Sequence, residues 1–246
     1  GGIRFCTQEF RNACSHSIVV GMFFDRGDDA LAQIAEVCRS APGGSGAYTM
    51  CFHGLGHGIL AAVDYDVPRA IAICKRTGSA EYRNNEYIEC VGGVVMEIVG
   101  GGGHSPETWA KANQKFVKQG GALSLCAAES MPEEARPMCY TYLTPELFVS
   151  AGASLARPDA KYFPKAFDFC KQIPVSQAQN RTACFGGFGK EFILLALQRD
   201  IRDLKSASEA ELKTMAEWCL LAKDKEGVAA CELYAMGSLY WGGEND

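Results

Sequence analysis

Two histidines in this chain are spaced to act together. His53 and His57 stand in the segment CFHGLGHGIL, residues 51–60. Residues four apart share one face of a helix, and two imidazoles on one face suit a single transition-metal ion. His16, in CSHSIVVGMF from Cys14, holds the place relative to its cysteine that His53 holds relative to Cys51. Three of the four histidines thus fall on one repeated face. His53, His57 and His16 are the expected ligands of one ion, zinc or copper, since both suit imidazole. Glu97 is an oxygen ligand or base within reach. Gly54 stands where the HExxH metalloprotease motif carries its glutamate, so a base must come from another repeat.

Carboxylates recur on the same face. Glu97, Glu146 and Glu191 each lie seven residues beyond a cysteine, and Lys190 sits beside Glu191. This pattern suggests a groove for a small polar ligand, lined by Gly54, Gly58, Glu97, Glu146, Lys190 and Glu191. Glu97, Glu191 and Lys190 are the candidates for acid–base work if burial shifts one of them. Glycine costs a helix about 0.8–1 kcal/mol relative to alanine, so Gly54, Gly56 and Gly58 together cost roughly 2–3 kcal/mol. Close packing of a neighbouring helix offsets that cost, or close approach of a ligand does. Packing is the favoured account, because glycine recurs in repeats that have no histidine.

The elements that hold these residues are set out by the twelve cysteines. They fall into successive pairs: Cys6 and Cys14, Cys38 and Cys51, Cys74 and Cys90, Cys126 and Cys139, Cys170 and Cys184, Cys219 and Cys231. The ten residues that begin at each second cysteine align without gaps, and second cysteines lie 37 to 49 residues apart. Such self-similarity is the mark of a repeat array. Before most first cysteines the sequence reads as a helix. Ser208 with Glu211 forms a capping box, and Ser105-Pro106 places a cap before proline at the first helical position. Each unit is therefore helix A, cysteine, loop, cysteine, helix B. Nearest-neighbour pairing staples each hairpin, with the pairing of Cys6 and Cys14 left open.

On helix B, positions +1, +4, +5 and +8 from the cysteine are mainly apolar. Phe52, Leu55 and Ile59, then Val91, Val94, Val95 and Ile98, then Phe185, Phe188 and Phe192 form this stripe, which reads as core. The expected fold is all-α: a single domain over 1–246, a solenoid of about six stapled antiparallel hairpins, with a hinge near 100–105. In layout the whole chain resembles the disulfide-stapled Sel1-like and tetratricopeptide-like repeat proteins. That resemblance implies architecture and no activity.

Composition narrows the function. The net charge is −5, from 29 acidic and 24 basic residues, with no basic run, which disfavours nucleic acid as a partner. No membrane span is expected, because the most apolar stretch, 90–103, is short and contains Glu97. An even, high cysteine count points to an extracytoplasmic location, secreted or periplasmic. Metal binding is the preferred function. A metal-dependent hydrolase or oxidase at the same site is one alternative. A scaffold that binds peptide or glycan through Tyr140, Tyr142, Tyr234, Tyr240 and Trp241 is the other.

Overall fold

The computed structural model describes residues 2–6, 11–154, 156, 159–197 and 207–242. Among these every regular element is helical. All twelve cysteines pair as nearest neighbours, Cys6–Cys14 included, with Cα–Cα separations of 5.6–5.7 Å that fit unstrained disulfides. Each closes a short loop, worth about 2–4 kcal/mol on chain-entropy arguments.

The chain divides into two compact units, 1–139 and 140–246. In the first unit, α1 (Arg11–Arg26), α3 (Gly44–Ala62) and α5 (Asn85–Gly100) are the B helices and lie side by side. Helix α2 (Leu31–Arg39) carries Cys38 to α3, and α4 (Val67–Cys74) carries Cys74 to α5. Asp66 caps α4 by accepting the Arg69 backbone N–H, and Pro68 sits in its first turn. Helix α6 (Pro106–Asn113) continues into a wide turn at Gln114–Lys118, and the short α7 (Ser124–Ala127) brings in Cys126.

One B helix departs from the expected pattern. Around Cys139 the chain forms α8 (Arg136–Tyr142), breaks at Leu143, and restarts as α9 (Thr144–Ala151). Pro145 lies in the first turn of α9, where its missing N–H costs nothing; inside a continuous helix it would remove a hydrogen bond and clash with the preceding turn. The second unit continues with α10 (Phe163–Lys171), α11 (Ala178–Leu197), α12 (Glu209–Leu220) and α13 (Lys225–Gly242), stapled as α10–α11 and α12–α13. Both bonds of the Ser208–Glu211 capping box are present at the start of α12.

The apolar stripe is core in both units. Phe52, Leu55, Ile59, Val91, Val94, Val95 and Ile98 are buried in the first. In the second, Phe185, Phe188 and Phe192 join Phe148, Phe163, Phe167 and Trp218 in one aromatic cluster. B helices begin well before their cysteines, α3 seven residues before Cys51, so the glycines at 44 and 46 are already helical.

Neighbouring B helices meet in one register, counted from the cysteine at position 0. Positions +2, +5 and +6 of the earlier helix touch 0, +3 and +7 of the later. Gly54 faces the His16 ring and Gly58 faces Val20 across α1/α3. Gly93 faces the His53 carbonyl and Gly56 the Cys90 carbonyl across α3/α5. In the second unit, Gly186 faces the Tyr234 ring and Gly189 the Cys231 carbonyl across α11/α13. At all three backbone carbonyls a Cβ would stand closer than 3.0 Å, so only glycine permits these approaches. The histidine–glycine face is therefore chiefly the packing face between B helices.

Helix propensity and packing make opposite predictions for alanine at these positions. Gly56→Ala and Gly189→Ala should each lower stability by about 1–3 kcal/mol, because the opposing backbone must move. Gly21→Ala on α1, with nothing within 4 Å, should raise it by up to about 1 kcal/mol. Urea denaturation midpoints of the three variants test both signs.

Candidate functional site

Helices α1 and α3 place His16, His53 and His57 together. The ring centres are 5.8 Å apart for His16–His53, 6.0 Å for His16–His57 and 5.2 Å for His53–His57. The register explains this meeting: His16 is at +2 of α1 and lies on Gly54, between His53 and Leu55 of α3. Any larger residue at 54 would push the first ring away.

His16 and His57 are each hydrogen-bonded at one ring nitrogen. His16 Nε2 is 3.1 Å from the Met50 carbonyl, which can only accept, so that nitrogen carries the hydrogen and Nδ1 has the lone pair. His57 Nδ1 is 3.0 Å from Glu97 Oε2. His53 Nδ1 faces Glu89 Oε2 at 3.6 Å. In His53 and His57 the opposite edge of the ring carries Nε2. A histidine whose second nitrogen is anchored to a carboxylate or carbonyl is the usual form of an oriented metal ligand.

Glu97 is itself anchored. Its Oε1 accepts the Gly102 N–H at 2.9 Å and the Tyr65 hydroxyl at 3.3 Å. Burial alone would raise this carboxyl, but the hydrogen bonds from His57, Gly102 and Tyr65 outweigh burial and hold it below the ordinary carboxylate range. The glycine run 100–103 wraps this carboxylate. Gly102 takes a left-handed φ of +98°, and a Cβ on Gly101 would enter the carboxyl group. Trp109 Nε1 donates to the Glu97 and Ile98 carbonyls, and Asn113 donates to Ile98, closing the end of α5. The anion cradled by this glycine run is thus the protein's own.

Burial, reinforced by the neighbouring His53 and His57, pushes His16 down to about 3. Burial pushes Glu89 up to about 7. Neither Glu89 nor Tyr65 stood out in the sequence; the one signal was a glutamate directly before Cys90.

The other expected site residues have different roles. Gly54 and Gly58 are covered by α1 and offer no room for a ligand. In the second unit, Glu146 is buried and accepts the Ser150 hydroxyl at 2.7 Å. There Lys190 pairs with Glu191 and lies 5.1 Å from the Tyr142 ring centre. Tyr140 is buried and Tyr234 covers Gly186, while the side chains of Tyr240 and Trp241 lie outside the described residues. His104 lies against Phe24, with ring centres 5.3 Å apart, and shares with His16 a cleft of about 480 Å³ that Ser17, Val20 and Gly21 also line.

Among the described residues, no group of three or more His, Cys, Asp or Glu side chains stands in a geometry that could hold a metal ion. Imidazoles on one tetrahedral ion hold their ring centres roughly 5 Å apart, given metal–nitrogen bonds of about 2.0–2.1 Å. The three rings here are at that spacing or somewhat wider. Among the described residues, no helix is long and apolar enough to cross a membrane.

No protein-family model, curated protein or solved structure matches the chain. The helical structure with its six disulfides is compatible with a helical-repeat fold.

Stability without metal should depend on acid through His16. Its pKa is 6.5 in the unfolded chain and about 3 when folded, so the unfolded state binds the proton more tightly. The neutral ring favours folding above pH 6.5, and this contribution is lost as pH falls towards 3. Glu89 acts in the opposite sense between about pH 4.5 and 7. His16→Gln should flatten the fall in stability below pH 6.5 by up to about 1.4 kcal/mol per pH unit. Urea titrations of metal-free protein at several pH values measure it.

Proposed function

We propose that this protein works in an oxidising, extracytoplasmic compartment, secreted or periplasmic, and binds one transition-metal ion through His16, His53 and His57. Six disulfides support the location. One observation carries the metal reading: three imidazoles from two helices converge, each with its other nitrogen facing a carbonyl or carboxylate. Loading requires the rings to move from the arrangement seen here, in which no three of the described side chains could hold an ion. Zinc and copper(II) both suit three nitrogen donors, and cysteine ligation is closed off because every thiol is paired.

Glu97 and Glu89 are positioning residues in this reading. Glu97 fixes the hydrogen of His57 on Nδ1, and Glu89 faces His53 Nδ1 from 3.6 Å. Tyr65 and Gly102 in turn hold Glu97. The cleft beside His16 favours a second reading, in which the ion keeps an open position and the protein is a hydrolase or oxidase.

Elemental mass spectrometry of untagged protein tests the proposal, after metal-free protein is reconstituted with zinc or copper and passed through a desalting column. About one equivalent should remain, and the His53→Ala/His57→Ala double variant should retain none. Glu97→Gln should keep its site but bind about 10–100-fold more weakly in a chelator competition. Retention of no ion by the unaltered protein, or equal retention by the double variant, would contradict the proposal.

A further inference from the structure

Among the described residues, the register between B helices leaves one face of α13 without a partner. In α1, α3 and α11, positions +2, +5 and +6 press on the next B helix. In α13 these positions are Leu233, Met236 and Gly237. Leu233 is 67% exposed, Met236 is 58% exposed, and Gly237 has nothing within 4 Å among the described residues. A helical glycine weakens its helix, and in the interior contacts a close neighbour offsets that loss. Gly237 has no such neighbour.

The complementary face is open on α1. Positions 0, +3 and +7 receive the preceding B helix at α3 (Gly54, Gly58), α5 (Cys90, Gly93, Glu97) and α13 (Cys231, Tyr234). On α1, +3 and +7 are Ser17 and Gly21, both exposed, and Gly21 also has nothing within 4 Å. Phe24, 48% exposed, lies one turn further along. These residues form one wall of the cleft that His104 completes.

We infer that a second copy of this chain docks head to tail, with the Leu233–Met236–Gly237 face of one copy on the Ser17–Gly21 face of the next. The apolar ridge of one copy meets a glycine-floored groove of the other in the register already used inside the chain. Unlike a two-fold dimer, this contact joins different faces. It leaves a free face of each kind at the ends, so assembly continues beyond two copies unless the geometry closes a ring. The docked helix also covers the cleft beside His16. The inference does not depend on metal binding.

Sedimentation velocity and light scattering on the 246-residue chain test it up to about 1 mM, where a millimolar interface is half populated. The mass should rise with concentration past two chains. Leu233→Glu/Met236→Glu, and separately Gly21→Glu, should each weaken association at least about tenfold. All three substitutions fall on exposed positions, and circular dichroism checks that the variants remain folded. An equimolar mixture of the two variants should form dimers and stop there, because each retains one sound face. A single-chain mass throughout the range would overturn the inference. So would association that either variant leaves unchanged, or a wild-type dimer that depends on the α13 face alone.

Discussion

Backbone-to-backbone contact between successive B helices is the constraint on which this structure rests. The His53 carbonyl occupies the space a side chain would need at Gly93, and the Cys90 carbonyl does the same at Gly56. The intrinsic helical cost of these glycines is offset by contacts no larger residue allows. Because the helices lie so close, side chains two or more residues along from these points are brought within one site. His16 reaches His53 and His57 across α1/α3, and His57 reaches Glu97 across α3/α5. The disulfides hold each hairpin together, while the glycines set the spacing between hairpins.

The same register serves both units with different chemistry. In the first it juxtaposes imidazoles and carboxylates. In the second, Gly187 packs on Thr141 and Thr144, and Tyr234 covers Gly186. Lys190 and Glu191 there satisfy each other. A repeat that conserves its contacts but varies the side chains beside them can carry a site in one place and plain packing in another.

Much of this was legible in the sequence. Cysteine spacing gave the hairpins and their pairing, since only neighbouring pairs respect the repeat. The apolar stripe from Phe52 to Ile59 and its equivalents identified the core. Gathering of His16, His53 and His57 on one repeat face anticipated their convergence. Other features depend on tertiary contact and carry no local pattern. Glu89 was hidden because its place directly before Cys90 gives no clue to what it faces. Tyr65 and the glycine run 100–103 meet only around Glu97, so the run suggested a hinge, whereas its Gly102 N–H closes on a buried carboxylate. Pro145 was visible, but the gapless alignment after Cys139 concealed that it divides the helix.

Diffraction from crystals grown with zinc, recorded above and below the zinc absorption edge, tests the central claim most directly. The account predicts one anomalous peak about 2 Å from His16 Nδ1, His53 Nε2 and His57 Nε2, with Glu97 still bonded to His57 Nδ1. A peak on the carboxylates with the histidines turned away, or no peak between α1 and α3, would contradict it.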